Sequence, residues 1–368
     1  MAKGNGKRHL LPAARRLYCH AIDDDSASLA IRREDKVMTE TRFDVLGIGN
    51  AIVDVLSRTD DAFLETHGLD KGGMRLIDAE QAERLYAQMG PGVEMSGGSA
   101  ANTLHGIASL GGRGAFIGKV RNDTLGNIFR HDMKAAGVSF ETASASDGPP
   151  TARCLILVTP DAQRTMNTFL GACIELTPDD VDTDLVAASA YTYLEGYLWD
   201  PPQAKAAFLK AANAAHEAGR KVALSLSDAF CVERHRREFR ALVEKHVDVL
   251  FANEAEIKAL FEVASFDDAM QAIRGKVEVA ALTRSEKGAV IVTADEVHVL
   301  DAEPVEAVMD TTGAGDLYAS GFLYGLTRGL PVAVCGSLGA LAAAEVISHF
   351  GARPERSLAE LVADKVHA

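Results

Sequence analysis

The sequence predicts an α/β fold: a largely parallel sheet with helices on both faces, plus a small β-sheet lid. Three observations carry this. Beyond residue 172, short apolar runs alternate with helical stretches over short links, the pattern of a parallel sheet covered on both faces. Two β-rich runs, Arg153 to Val158 and Thr165 to Leu170, flank a Pro160-Asp161 turn and read as a hairpin outside that alternation. At 368 residues, with 47% apolar and 24% charged, the chain can bury one large core or two unequal ones.

In chain order, "FDVLGIGNAIVDVL" opens with a buried strand, Phe43 to Ile48, broken at Gly49-Asn50. A helix follows around "DAEQAERLYAQMG". In "GGSAANTLHGIASLGG", a Gly-Gly turn precedes Ala101, Leu104, Ile107 and Ala108 at helical spacing. "GAFIGKV" reads as a strand, and "DTLGNIFRHDMKAAGV" as a helix ended by Gly137. After the hairpin, "AYTYLEGYL", "KVALSLS" and "VDVLFAN" are strands, each followed by a helix. "VEVAALTRS" and "AVIVTADEVHVL" add more strands. An apolar, strand-like segment leads into "MDTTGAGD", and two helices complete the chain. The division expected is a disordered extension over 1–41, a large domain of 42–54, 79–149 and 173–368, and a discontinuous β lid of 55–78 and 150–172.

The formal net charge of −14 argues against a general nucleic-acid binder, and no apolar run is long enough for a membrane span. Cys19, Cys154, Cys173, Cys231 and Cys335 are odd in number and lack a C-x-x-C pair. They read as thiols of a cytoplasmic protein, without a disulfide framework or structural zinc.

Ligands of open α/β sheets gather beyond the carboxyl ends of the strands. The polar and glycine residues there are Asn50 and Asp54, then Gly97 and Gly98 with Asn102, Asn253 with Glu256, and the turn from Asp310 to Asp316. Gly313, Ala314 and Gly315 begin a helix whose first N–H groups lack internal partners, so an anion can approach them closely. Asp316 follows on the first turn, where a carboxylate can take a proton from a hydroxyl attacking phosphorus. The competing reading has Asp316 only complementing the helix dipole, worth about 0.3–1 kcal/mol. Gly321 and Gly325 read as packing sites. There is no G-x-x-x-x-G-K-[ST], H-E-x-x-H or G-x-S-x-G, and Gly47 and Gly49 lack the third glycine of a dinucleotide fingerprint.

"DTTGAGD", "SGGSAANT", "GKVRNDTLG" and "NEAE", spread between about residues 43 and 350, resemble the signatures of the ribokinase (PfkB) family of carbohydrate and nucleoside kinases. The resemblance implies a ribokinase-like fold with ATP and Mg²⁺ as partners. It makes Asp316 the general base and Gly313, Ala314 and Gly315 the anion hole, with Thr311 beside it. Asn253 and Glu256 would arrange phosphates and metal indirectly, although they also read as a capping box. Thr283 and Gly288, in "TRSEKGAV", match part of a nucleotide turn. A monovalent cation such as K⁺ near Asp310 and Thr312 is a further family implication.

Asp54, Asn50, Asn102, Gly97 and Gly98 would hold the acceptor. Asn50 also reads as a turn residue, and Asn102 as a cap or helix-surface amide. "GIGNAIVDV", "GGSAANT" and the hairpin look more like the adenosine-kinase branch than ribokinases or fructokinases. Arg164 resembles a lid arginine that closes onto phosphate, or else is a solvated turn arginine. Leu155 and Phe169 would pack near a purine, though a hairpin's inward face is apolar anyway. The expectation is ATP-dependent phosphorylation of a ribonucleoside 5′-hydroxyl by a monomer or homodimer. A sugar kinase and a non-catalytic nucleoside-binding protein are the alternatives.

Overall fold

A computed structural model describes residues 41–161 and 163–366. The extension expected over 1–41 lies, up to residue 40, outside the described residues. The strands are β1 (Phe43–Ile48), β2 (Ile52–Arg58), β3 (Met74–Leu76), β4 (Gly92–Gly97), β5 (Gly114–Ile117), β6 (Ser139–Phe140) and β7 (Ala152–Val158). They continue as β8 (Arg164–Phe169), β9 (Ser189–Glu195), β10 (Lys221–Ser225), β11 (Val249–Asn253), β12 (Val279–Thr283), β13 (Ala289–Val292) and β14 (Val297–Leu300).

Nine of these form one sheet in the order β14-β13-β12-β11-β10-β9-β1-β5-β6. All its pairings are parallel except β12 with β13 and β13 with β14. Alternation along β1 sends Leu46 and Ile48 into one core and Val45 into another, as a strand covered on both faces requires. Helices Pro202–Glu217 and Ala229–His246 close the first core. Helices Ser99–Ser109 and Ala314–Thr327 close the second.

The second sheet, β3-β8-β7-β2-β4, has five strands. Its β7–β8 hairpin occupies the segment where the sequence places one. The stretch 79–149 does not belong wholly to the larger sheet, because β4 pairs antiparallel with β2 in the smaller one. "GVEMSG" carries two glycines and a central glutamate, too weak a β signal to be read as a strand. Val53, Val55, Leu155 and Leu157 of the small sheet are buried in the core shared with helix Ser99–Ser109. Each such burial contributes about 1.5–3 kcal/mol.

Two further expectations fail near the C-terminus. No strand leads into the Asp310 turn: residues 301–313 are irregular, and Val308 and Met309 are exposed. A third helix, Leu358–Val366, follows the two predicted ones. It docks Leu358 and Val362 beside Leu317, Leu338 and Val346.

Helices Ala314–Thr327 and Val332–Val346 touch backbone to backbone. A Cβ on Gly321 would lie 2.6 Å from the Leu338 carbonyl carbon, and one on Gly325 would lie 2.7 Å from Cys335 Sγ. Both glycines are packing sites, as their helical setting predicts. Gly321→Ala is expected to cost about 1–3 kcal/mol, because backbone rather than a flexible side chain must yield; urea unfolding measures it.

Candidate active site

The carboxyl ends of β1, β9, β11 and β12 lie along one edge of the large sheet, and Asn50, Glu195, Asn253 and Thr283 stand at those ends. Helix Ser99–Ser109 starts beside the same edge. Its N-cap, Gly98, has φ 91°, and a Cβ there would overlap the Asn50 carbonyl oxygen. Only glycine meets both demands. Gly97 is constrained differently: a Cβ would fall 2.6 Å from Asp54 Oδ1. The Gly-Gly pair is therefore the space occupied by Asn50 and Asp54.

Helix Ala314–Thr327 arrives from the C-terminal part of the chain. Gly313 is its N-cap at φ 78° and gives no side-chain cap, and a Cβ on it would sit 2.7 Å from Ala352 Cβ. Gly313 is thus glycine for backbone and packing reasons. Gly315 has no heavy atom within 4 Å of a would-be Cβ, so the uncapped start of the helix is open on its side. Ala314 lies between them. Thr311 is exposed, and its carbonyl accepts the Ala314 N–H at 3.2 Å.

Asp316 does more than complement a dipole. Its carboxylate accepts Ser99 Oγ–H at 2.6 Å and Asn102 Nδ2–H at 2.8 Å. Burial raises its pKa above the ordinary aspartate value, while Ser99, Asn102 and the Arg353 charge oppose that rise. Asn102 is neither cap nor surface amide: it is buried within its helix and bound to Asp316. Asp54 is pushed up to about 6, first by burial; Arg353 and Arg164 pull down while Asp316 pushes further up.

Arg164 is not a solvated turn residue. Its guanidinium pairs with Asp310, and both side chains are under 10% exposed. Asp310 also accepts from Thr312 N at 3.0 Å, Thr312 Oγ1 at 2.7 Å and Gly351 N at 2.9 Å. Cross-strand register fixes which hairpin residues share the Asp54 face. Asp54 pairs with Cys154 and Val158 with Arg164, so Cys154, Ile156, Val158 and Arg164 lie on its side of the sheet. Leu155 and Phe169 lie on the opposite face and pack into the core. Their expected place near a purine is corrected by this alternation.

Asn253 and Glu256 do form a capping box. Glu256 N donates to Asn253 Oδ1 and Asn253 N to Glu256 Oε2, each at 2.9 Å. Burial pushes Glu256 up to about 7. Gly288 has φ 79° and closes the turn in which Arg284 N donates to its carbonyl at 2.7 Å; Thr283 is the register partner of Asn253. Asn253, Glu256, Thr283 and Gly288 bond among themselves and their own turns rather than to Asp316. Of these, Glu256 acts with Asp316 on the Tyr197 phenol, which is raised first by burial and then by Asp228, Asp316, Glu256 and Glu195. Among the described residues, no group of three or more His, Cys, Asp or Glu could hold a metal ion.

Three residues escape a reading of the sequence. Glu195 is buried and accepts Asn50 Nδ2–H at 2.7 Å and Ala100 N–H at 2.8 Å. Burial lifts it to about 7. Ser99 stands out only as one letter of a motif. Arg353 reaches in from the C-terminal loop, donating to Ser96 O at 3.1 Å and Ala101 O at 2.9 Å. Glu195 had one available signal, a carboxylate at a strand's carboxyl end; Arg353 had none.

With this geometry in place, likeness to known proteins becomes informative. The profile of the pfkB family of carbohydrate kinases matches residues 74–357. The solved structure of a probable sugar kinase from Rhizobium etli is 51% identical, covers 89% of this chain and 100% of its own, and superposes with a TM-score of 0.83. That of an adenosine kinase from Sinorhizobium meliloti is 54% identical, with coverages of 88% and 99% and a TM-score of 0.81. The adenosine kinase of Saccharomyces cerevisiae is 28% identical over 305 residues, 77% of this chain and 88% of that one. The signatures, the two-sheet architecture and these likenesses agree: the chain belongs to the pfkB family of carbohydrate kinases, phosphotransferases that act on hydroxyl groups.

Proposed function

We propose that this protein transfers the terminal phosphoryl group of ATP to the 5′-hydroxyl of a ribonucleoside, converting adenosine to AMP. The observation that carries the chemistry is a half-buried carboxylate, Asp316, on the first turn of a helix with no side-chain cap. The acceptor assignment leans on the likeness to the Sinorhizobium meliloti adenosine kinase. The Rhizobium etli probable sugar kinase is almost equally similar, so a sugar acceptor is the second reading.

The acceptor hydroxyl would approach Asp316, which takes its proton as phosphorus is attacked. Ser99 and Asn102 hold that carboxylate in place and favour its ionised form, while burial makes it more basic than a surface aspartate. The helix start at Gly313, Ala314 and Gly315 would receive the charge on the migrating phosphoryl group, with no side chain on Gly315 to screen it, although the Ala314 N–H is turned onto the Thr311 carbonyl. Arg164, on the Asp54 face of the small sheet, would leave Asp310 for phosphate and exclude water as the sheet closes. Asp54, Asn50 and Asn102 would take the sugar hydroxyls, Gly97 and Gly98 leaving the room that Asp54 and Asn50 themselves occupy.

ATP fits the uncapped helix start. Mg²⁺ would be held by phosphates and water, since Asn253 and Glu256 are engaged with each other and would act on it indirectly, beside Thr283, Gly288 and Thr311. The Asp310 carboxylate already meets Thr312, Gly351 and Arg164, so as arranged it does not fit a monovalent cation.

Asp316→Asn is expected to lower kcat by about 10²–10⁴ while acceptor binding, read by calorimetry, survives. Wild-type-like turnover would remove Asp316 as the base. ADP release with a panel of nucleosides and hexoses decides the acceptor; turnover of fructose and none of adenosine would reverse the assignment. Ser99→Ala removes a bond to the ionised form of Asp316. The acid limb of the kcat–pH profile should therefore move to higher pH, and an unmoved or lowered limb would contradict that role.

A further inference from the structure

We propose that Glu195 is a positioning residue for the acceptor site: by drawing the Asn50 amide N–H onto itself, it presents the Asn50 carbonyl oxygen as a fixed hydrogen-bond acceptor for a substrate hydroxyl. The inference rests on the reading above that places Asn50 in the acceptor site.

An asparagine amide carries donors on one side and an acceptor on the other, and only the donor side can face a carboxylate. Glu195 Oε1 takes Asn50 Nδ2–H at 2.7 Å, and its Oε2 takes Ala100 N–H at 2.8 Å. Both oxygens are used as acceptors, so neither can turn to serve another donor without losing a bond. The surroundings preserve that arrangement. A Cβ on Gly49 would lie 2.9 Å from Glu195 Cδ and 2.7 Å from Ala100 Cβ, so any other residue there would displace the carboxylate.

The consequence is an orphan. Asn50 is 2% exposed, and its Oδ1 is buried without a hydrogen-bond partner. Buried polar atoms are almost always satisfied, by protein, ordered water or a bound ligand, so this oxygen calls for a donor. The same arrangement recurs at Asn102, whose Nδ2 is committed to Asp316 and whose Oδ1 is likewise buried and unpartnered. With the Asp54 carboxylate, these two amide oxygens form a set of hydrogen-bond acceptors in want of donors, while each Nδ2 keeps one further N–H. The matching ligand is an uncharged polyol whose hydroxyls donate. A ligand group that only accepts would meet oxygen against oxygen at Asn50 Oδ1.

A swap of donor and acceptor tests this in the intact protein. In Glu195→Gln, one side of the new amide becomes a donor. If its oxygen still accepts Ala100 N–H, its NH₂ faces Asn50, which must then turn its own oxygen inward and its NH₂ towards the substrate. In Asn50→Asp, two carboxylates oppose each other. Each single variant should raise the acceptor KM about tenfold or more, with the ATP KM within about twofold of wild type. In the double variant, Glu195→Gln with Asn50→Asp, the glutamine amide donates to one oxygen of the new aspartate while the other oxygen faces the acceptor. The acceptor KM should then return to within about threefold of wild type. A double variant as poor as the product of the singles, or an equal rise in ATP KM, would overturn the proposal.

A second measurement needs no variant. With wild-type protein and whichever acceptor it phosphorylates, each remaining hydroxyl is replaced in turn by hydrogen or by fluorine, which keeps an acceptor but loses the donor. At one position or more, the fluoro analogue should bind as poorly as the deoxy one. If fluorine restores binding at every position, the presentation of Asn50 Oδ1 to a substrate hydroxyl is wrong. Should the phosphorylated acceptor prove to be a sugar, the nucleoside assignment fails while this test proceeds on that sugar's analogues.

Discussion

Two helix starts, far apart in sequence, are held close enough to share one carboxylate, and the candidate active site depends on that approach. A Cβ on Gly106 would lie 2.8 Å from Leu317 Cδ1 and would overlap Ser320 Oγ. Glycine at 106 is what lets helices Ser99–Ser109 and Ala314–Thr327 close up. Asp316 can then reach Ser99 and Asn102, 217 and 214 residues away. Close packing of this kind has little slack, because interiors are as dense as organic crystals and transmit small displacements. The geometry of a carboxylate beside an uncapped helix start is thus a by-product of how two helices pack.

The site collects carboxylates where water is scarce. Asp54, Glu195, Glu256 and Asp316 are all held above their ordinary pKa, in each case chiefly by burial. Burying a charge is unfavourable unless it is paired and hydrogen-bonded, and each carboxylate has a different answer. Glu256 closes a capping box, Glu195 collects two N–H groups, Asp316 binds a hydroxyl and an amide, and Asp54 lies in the field of Arg353 and Arg164. Arg353 carries a corresponding strain, its own pKa lowered by burial to about 10. Strain of this sort, gathered at one edge of the sheet, is expected where a protein performs chemistry rather than where it only folds.

Much of this was legible from local pattern. The glycine-rich turn, the Gly-Gly pair, the capping box of Asn253 and Glu256 and the hairpin each depend on neighbours within a few residues, so their signals lie in adjacent letters. Strand β4 was missed because "GVEMSG" has no β character of its own and pairs only because β2 offers an edge. The hairpin's facing residues were misassigned because alternation says which residues share a face but not which face meets the ligand. That needed the pairing of Asp54 with Cys154.

The sequence by itself determined the fold class, the turns at which backbone amides lie open and the aspartate that follows them, because glycine, helix periodicity and helix starts act locally. Only the tertiary structure decided what surrounds those residues: Glu195 behind Asn50, Arg353 across Ser96, and Arg164 on Asp310. Such partners lie up to 257 residues apart. Their meeting depends on strand order and helix packing, which no stretch of neighbouring residues encodes.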